Sequence, residues 1–172
     1  MDDKKTHILK AAMRVVIAYG FKRVSMADIA QEAGISRPAI YQIFRNKDDV
    51  FFSCMDMLVA EAFAAADAAI DGVRGKKARA SAYLLAYMGY FHALLVAGPH
   101  GQELLDANNR LGAEQSQAAQ ARFVAELNRL MGLAADAQDG QVLALAAMGI
   151  KYHTNDPAQF RVRLTMLTDR FL

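Results

Sequence analysis

The sequence predicts an all-α protein of about nine helices, with an N-terminal head of three helices joined to a C-terminal helical bundle. Three observations support this fold class. The 172 residues include only three prolines, alanine and leucine recur in long stretches, and apolar residues repeat at helical rather than alternating spacing. A composition of 54% hydrophobic and 22% charged residues is typical of a globular protein. We divide the chain into residues 1–47 and residues 48–172.

The first predicted helix runs from Lys4 to Tyr19, where apolar residues such as Ile8 and Val15 fall on one face. Gly20 follows directly. Glycine accepts the left-handed backbone that commonly ends a helix, so we expect the helix to stop there.

Two short helices with strong start and stop signals come next. Ser25 is a good N-cap, and Asp28 stands in the reciprocal capping position. Gly34 ends that helix after Ala33, and Ser36 caps the following one. A three-residue turn of this kind makes two helices cross steeply, which leaves the second free to enter a DNA groove. The pattern therefore predicts a helix-turn-helix.

A fourth helix begins after Asn46 and continues to about Ile70, with two aspartates in the first turn, where the helix dipole favours acids. A polar, glycine-containing break separates it from residues 80–98, the most hydrophobic stretch of the chain. These 19 residues approach the length of a membrane span, but three interior tyrosines favour a buried central helix. Further helices are predicted near residues 103–109, 113–131, 141–153 and 157–172. The helix at 113–131 is expected to bury Phe123, Leu127 and Leu130. The helix at 157–172 begins with Asp156 as its cap and Pro157 at its first position.

Charge is distributed unevenly, although the formal net charge is only +2. Residues 1–50 hold nine Lys or Arg and six Asp or Glu, giving +3, whereas the remainder holds eleven and twelve, giving −1. This asymmetry fits nucleic-acid binding, but a solvated surface of mixed charge would look similar.

The expected compartment is the cytoplasm. The first ten residues lack the apolar core and cleavage site of a secretory signal. The one cysteine, Cys54, has no internal disulfide partner, and its position between Val50 and Leu58 predicts a small buried residue rather than a redox sensor.

No enzyme activity, metal or cofactor is predicted. A nucleophile elbow, a zinc-protease helix and a phosphate-binding glycine loop are all absent from the sequence. His92, His100 and His153 are too far apart along the chain to form a recognisable metal motif.

Residues 33–48, AGISRPAIYQIFRNKD, closely resemble the signature of the tetracycline-repressor (TetR) family of bacterial regulators. Ser25 and Ile29-Ala30 extend the match, which covers roughly residues 5–52; the C-terminal part matches only in length and in being helical. The resemblance implies a homodimer that binds a palindromic DNA operator, usually as a repressor. It also implies that a small molecule bound in the C-terminal domain releases the protein from the DNA. Ile43 departs from the pattern, because the family commonly has an aromatic residue or histidine there, near the DNA backbone.

Some of the candidate DNA contacts are to phosphate. Lys47 stands at a helix N-terminus, a natural anion site, and in the family this lysine binds phosphate; the alternative is a lysine extended into water. Tyr41 lies on the opposite side of the third helix from Ile40 and Phe44, so its hydroxyl is free to reach phosphate, as it does in the family. Helix capping alone explains the presence of Ser25 and Ser36, and the resemblance implies that both also contact phosphate.

Other candidates would read bases or shape the helix. Arginine pairs with guanine, glutamine with adenine, and alanine touches the thymine methyl, which points to Arg37, Gln42 and Ala39. Pro38 fixes the helix start. The full predicted DNA-binding set is Ser25, Ser36, Arg37, Pro38, Ala39, Tyr41, Gln42 and Lys47.

In the C-terminal part, an aromatic stripe predicts either a ligand pocket or core packing, since both use such a face. The candidate ligand-binding residues are Phe63, Tyr83, Tyr87, Met88, Tyr90, Phe91 and His92. A homodimer interface of two helices from each subunit is predicted from small residues and an apolar stripe. Its candidate residues are Leu145, Gly149, Phe160, Leu164, Leu167 and Phe171.

Two functions thus stay open. The first is a dimeric DNA-binding regulator with a small-molecule effector. The second is a helix-turn-helix module that bends DNA or contacts proteins and has no effector.

Overall fold

A computed structural model of the protein describes residues 3–103 and 113–172. Over these ranges it contains α-helices and no strand, which confirms the predicted all-α fold. Of the short helix predicted near residues 103–109, all but the first residue lies outside the described ranges. The helices are α1 (Asp3–Tyr19), α2 (Met26–Glu32), α3 (Arg37–Tyr41), α4 (Lys47–Ala69), α5 (Lys76–Val96), α6 (Ala113–Met131), α7 (Gln138–Tyr152) and α8 (Pro157–Phe171).

The chain forms two compact units. The first comprises the described residues of Met1–Leu58 and Ala97–Ala113, and the second those of Val59–Val96 and Glu114–Leu172. α4 is one continuous helix whose residues belong to both units. The predicted boundary between a DNA-binding domain (1–47) and a ligand-binding and dimerisation domain (48–172) stays a prediction.

The first unit is ordered by local stop and start signals. Gly20 and Gly34 have φ values of +85° and +64°, the left-handed conformation predicted at both helix ends. Apolar residues of α1, α2 and α3 form its core, with Ile8, Ile29 and Ile40 at most 1% exposed. The segment after α5 joins this unit, since the backbone N–H of Lys22 donates to a carboxylate oxygen of Glu103.

Cys54 is buried in the first unit, as predicted. Its thiol donates to the backbone carbonyl of Leu9, with 3.5 Å between sulfur and oxygen. Burial raises the pKa of this thiol to about 12.

The second unit is built on α5, which packs against α7 and α8. Its core includes Leu84 of α5, Leu143 of α7 and Leu164 of α8, all completely buried. The buried face predicted for α6 is confirmed, because Phe123, Leu127 and Leu130 are at most 5% exposed.

α5 is the buried central helix that the sequence favoured over a membrane span. Six of its residues, from Ala80 to His92, are buried. Among the helices in residues 3–103 and 113–172, none has the length and apolarity needed to cross a bilayer.

The connection between α6 and α7 is anchored by one buried amide. The Nδ2 of Asn128 donates to the carbonyls of Ala135 and Ala137 at 3.0 and 2.8 Å. Its Oδ1 accepts from the backbone N–H of Gly140 at 2.9 Å. Gly140 lies in the first turn of α7, which begins at Gln138, three residues before the predicted start at about Gln141.

Candidate nucleic-acid interface

The turn between α2 and α3 is held by side-chain caps at both helix starts. At α2, Ser25 Oγ accepts from the N–H of Asp28 at 3.3 Å, and the Asp28 carboxylate accepts from the N–H of Ser25 at 2.8 Å. Hydrogen bonds from the Ser25 side chain and backbone lower the pKa of Asp28. The carboxylate is therefore ionised at neutral pH and the reciprocal cap is complete. At α3, Ser36 Oγ accepts from the N–H of Ala39 at 3.3 Å.

α3 has one buried side and one exposed side. Ile40 and Phe44 are buried at 0% and 1% exposure, and they fix the helix against the unit's core. Tyr41 is 46% exposed, as expected for the opposite side. Of the other candidates in and next to α3, Arg37, Pro38 and Gln42 are exposed, and Ala39 is half-buried.

Lys47, at the first position of α4, does not extend into water. Its Nζ donates to the backbone carbonyl of Phe21 at 2.8 Å and lies 4.5 Å from the centroid of the Phe21 ring. The Phe21 ring is itself 4.8 Å from that of Phe51. The ammonium is thus held beside the start of α4, where backbone N–H groups also favour an anion.

Arg45 is a further exposed basic residue next to α3 and lies outside the predicted DNA-binding set. It is exposed between α3 and α4, and its backbone N–H donates to the Asp49 carboxylate at 2.9 Å. Asn46 Oδ1 accepts from the N–H of Asp49 at 2.9 Å, which completes the predicted cap of α4. The sequence feature that could have indicated Arg45 as a candidate is its position between the predicted third helix and the cap of the fourth helix.

The candidate ligand residues lie mostly in the core of the second unit. Tyr87 stacks on Phe123 with 4.1 Å between ring centroids and is 4.9 Å from Phe63. Tyr83 lies 6.0 Å from the same Phe123 ring. Burial raises the pKa of Tyr87 to about 12 and also raises the pKa of Tyr83, so both phenols are neutral. Met88 is buried beside them.

Tyr90 and Phe91 mark the outer end of this aromatic row and are half-buried. The Tyr90 hydroxyl donates to the Glu61 carboxylate. Burial and this hydrogen bond raise the pKa of Tyr90. A role of any of these residues in ligand binding stays a prediction.

A separate cavity of about 520 Å³ lies between α5 and α8. Of the candidate ligand residues it touches His92, beside Gly89, Phe160 and Arg161. The His92 ring stacks on Phe160 at 3.8 Å, and its Nε2 is 2.6 Å from the Thr154 carbonyl, to which it donates.

The candidate dimer residues divide into two groups. Phe160 and Leu164 are buried in the core of the chain's own second unit, and Leu167 is partly buried against the same core. Leu145, Gly149 and Phe171 are exposed, Leu145 at 53%. Other large apolar side chains of α7 and α8 are exposed as well, namely Val142, Val162 and Met166.

The comparison with protein families finds a match for the N-terminal segment of the first unit. Residues 8–54 match the model of the bacterial regulatory proteins, tetR family. The HTH-type transcriptional regulator EthR of Mycolicibacterium smegmatis is 35% identical over 79 residues, which are 46% of this chain and 36% of EthR. The regulator TtgR of Pseudomonas putida is 38% identical over 56 residues, which are 33% of this chain and 27% of TtgR. The matched segments thus span about a third of these relatives.

Solved structures match the fold of nearly the whole chain. A transcriptional regulator from Rhodococcus sp. Rha1 superposes with a TM-score of 0.73 at 17% identity, over 98% of this chain and 95% of its own. The fatty acid degradation regulator FadR from Bacillus halodurans superposes with a TM-score of 0.70 at 16% identity, over 98% and 96%. Together with the helix-turn-helix in residues 25–41, these matches show that residues 8–54 are similar to the tetR family of bacterial regulatory proteins and that the chain shares the fold of TetR-like regulators.

Proposed function

We propose that this chain is a cytoplasmic, homodimeric transcriptional regulator that binds a palindromic DNA operator and is released from it by a small-molecule effector. The observation that carries the proposal is the surface of α3, where Arg37, Tyr41 and Gln42 face outward while Ile40 and Phe44 anchor the helix. A short helix with a polar outer face and a fixed inner face fits the major groove.

Phosphate contacts would position the head on DNA. Ser25, Ser36 and Lys47 all lie at helix N-termini, where free backbone N–H groups favour anions. The Lys47 ammonium is held by a neutral carbonyl, so a phosphate would add the counter-charge that it lacks there. Arg45 and the Tyr41 hydroxyl would extend the same row.

Base contacts would provide sequence preference. Arg37 and Gln42 are the exposed side chains able to make bidentate bonds to guanine and adenine, and Ala39 would touch a thymine methyl. Pro38 would fix the first turn of α3 without making a base contact.

The exposed apolar side chains of α7 and α8 support dimerisation. Val142 and Leu145 of α7 and Val162 and Met166 of α8 are each 49–58% exposed. Two adjacent helices with such faces would pack against the same pair from a second copy, with Gly149 permitting close approach. Dimerisation would place two α3 helices on successive major grooves of a palindrome.

An effector would act through α4, the helix that contributes residues to both units. Binding in the second unit would shift α4 and change the separation of the two recognition helices. Structures of the dimer with and without effector that show the same separation would contradict this mechanism.

The direct test is binding to DNA upstream of the protein's own gene, measured by fluorescence anisotropy at several salt concentrations. We expect Arg37→Ala to lower affinity for the preferred sequence about 5- to 150-fold, and Lys47→Met to lower affinity for all sequences and reduce the salt dependence. Arg74→Ala is the matched control, because Arg74 is an exposed cation in the loop before α5. Salt-sensitive binding without sequence preference would instead favour the architectural module, and no binding the protein-contact module.

A further inference from the structure

The cavity between α5 and α8 lies wholly within the second unit and is large enough for a small molecule. Its volume is about 520 Å³, and ligand pockets typically measure roughly 300–1,000 Å³. Every residue that lines it belongs to the second unit. The exposed apolar residues of the proposed dimer face, Val142, Leu145, Val162 and Met166, do not line it. The proposed dimer contact therefore does not account for this cavity.

One wall of the cavity is a smooth strip along α5. It is formed by short side chains at helical spacing, namely Ala82, Ala86, Gly89 and Ala93. A Cβ built on Gly89 would meet no atom within 4 Å, so the helix backbone there faces open space rather than a neighbouring helix. A strip without long side chains lets a flat ring lie close against the helix.

The other walls are largely apolar. Pro157 and Phe160 contribute from α8, and Leu85 and Val96 contribute from α5. The Phe160 ring stacks on the His92 ring with 3.8 Å between centroids and 6° between planes. The two rings thus support each other and form a fixed wall beside the strip.

His92 gives this apolar cavity a hydrogen-bond acceptor. The residue is only 2% exposed, and its Nε2 donates to the Thr154 carbonyl, which leaves Nδ1 as the acceptor of the neutral ring. Among the described residues, no group donates a hydrogen bond to Nδ1. Protein atoms do not enclose Nδ1 either, so it is open to the space that the ring lines.

These features together specify the chemistry of an occupant. A ligand that displaces water from Nδ1 without donating to it would leave a largely buried acceptor unsatisfied. A charged ligand would lose its hydration in apolar surroundings, because the cation in the lining, Arg161, is exposed at the surface. A neutral, flat ring that carries a hydroxyl group meets both conditions and fits the strip.

We propose that the cavity between α5 and α8 binds a neutral aromatic alcohol, whose ring lies along the strip from Ala82 to Ala93 and whose hydroxyl donates to Nδ1 of His92. This site rests on the proposed function, because it names the chemical class of the effector.

The experiment uses 2-naphthol, with 2-methoxynaphthalene as the counterpart that lacks the donor, and measures binding to the full chain by calorimetry without DNA. We expect 2-naphthol to bind about tenfold more tightly. His92→Gln should remove this preference, because the amide nitrogen can still donate to the Thr154 carbonyl but the acceptor at Nδ1 is lost. In protein labelled with ¹⁵N in histidine, 2-naphthol should move the Nδ1 signal of His92 towards that of a protonated nitrogen, and 2-methoxynaphthalene should not.

A second variant tests the location of the site. Gly89→Leu places an isobutyl group in the open space and should weaken binding of both compounds at least tenfold. Ala78→Leu is the matched control, because Ala78 is exposed on the same helix and does not line the cavity. Equal affinity for the two compounds, binding that survives in Gly89→Leu or is lost in Ala78→Leu, or an unmoved Nδ1 signal would each overturn the proposal.

DNA binding is measured separately for each variant. Absence of DNA binding would refute the proposed function, whereas the calorimetry and the Nδ1 signal decide the aromatic alcohol site independently.

Discussion

Lys151 lies on the buried face of α7 and is only 8% exposed, with its Nζ 4.3 Å from the ring centroid of Tyr152 and 5.6 Å from that of Phe91. The partial burial of this charged side chain should destabilise the native protein, and removing the charge should therefore increase stability. Its pKa falls from 10.5 to about 8 on burial. At 1.36 kcal/mol per pKa unit, this difference corresponds to a penalty of about 3 kcal/mol when the group is protonated in both native and unfolded states. We expect Lys151→Met, which keeps the buried stem, to gain roughly this free energy of unfolding at pH 7.

The gain should depend on pH in a definite direction. Between pH 8 and 10.5, the native wild type releases its proton while the unfolded chain retains it, so wild-type stability rises with pH across this window. The difference between Lys151→Met and wild type should therefore be largest below pH 8 and vanish above about pH 10.5. Thermal unfolding at pH 7 should show a Tm higher by roughly 6–12 °C in the variant.

Urea unfolding of both proteins from pH 7 to 10.5 provides the measurement, and Lys10→Met is the control, because Lys10 is exposed on α1. A stability difference that stays constant with pH would show that packing, rather than charge burial, is responsible. A loss of stability at pH 7 would show that the ring contacts outweigh the lost hydration, and would refute the reasoning.

Three further perturbations test other parts of the structure. Gly34→Ala should lower the free energy of unfolding by about 1 kcal/mol, because the residue has a φ of +64°. A Cβ there meets nothing within 4 Å, so backbone strain is the only cost. An unchanged Tm in thermal unfolding would contradict this. Asn128→Leu should lower the free energy of unfolding, measured in urea, by roughly 3 kcal/mol, because the carbonyls of Ala135 and Ala137 and the N–H of Gly140 lose their partner. A loss below 1 kcal/mol would show that water replaces the amide. Leu145→Lys should convert the proposed dimer to a monomer in sedimentation and weaken DNA binding, whereas Leu133→Lys, equally a charge on an exposed apolar site, should do neither.

The helix-turn-helix was predictable because its signals are local. Ser25, Gly34 and Asn46 act within three or four residues of themselves, through a cap or a left-handed turn, and each acts in the structure as the sequence indicated. Neighbouring residues alone decide such features, so no knowledge of the tertiary contacts is needed.

The second unit was less predictable because its assignments depend on tertiary contacts. The spacing of Tyr83 and Tyr87 fits a pocket and a core equally well, and only the Phe123 ring from α6 distinguishes them. The apolar stripe of α8 likewise does not reveal that Phe160 and Leu164 face the chain's own core. The burial of Lys151 also depends on these contacts, since a lysine is usually expected at the surface.

The environment of Cys54 has a practical consequence for measuring motion in this protein. Its thiol is buried and bonded to a backbone carbonyl, and the raised pKa leaves almost no thiolate at neutral pH. Maleimide and other alkylating labels should therefore pass over it, although it is the one cysteine of the sequence. With a cysteine in place of exposed Gln42, that position would be the single labelled one, and a fluorophore or spin label there would report the distance between the two α3 helices of the proposed dimer without any need to remove the native thiol.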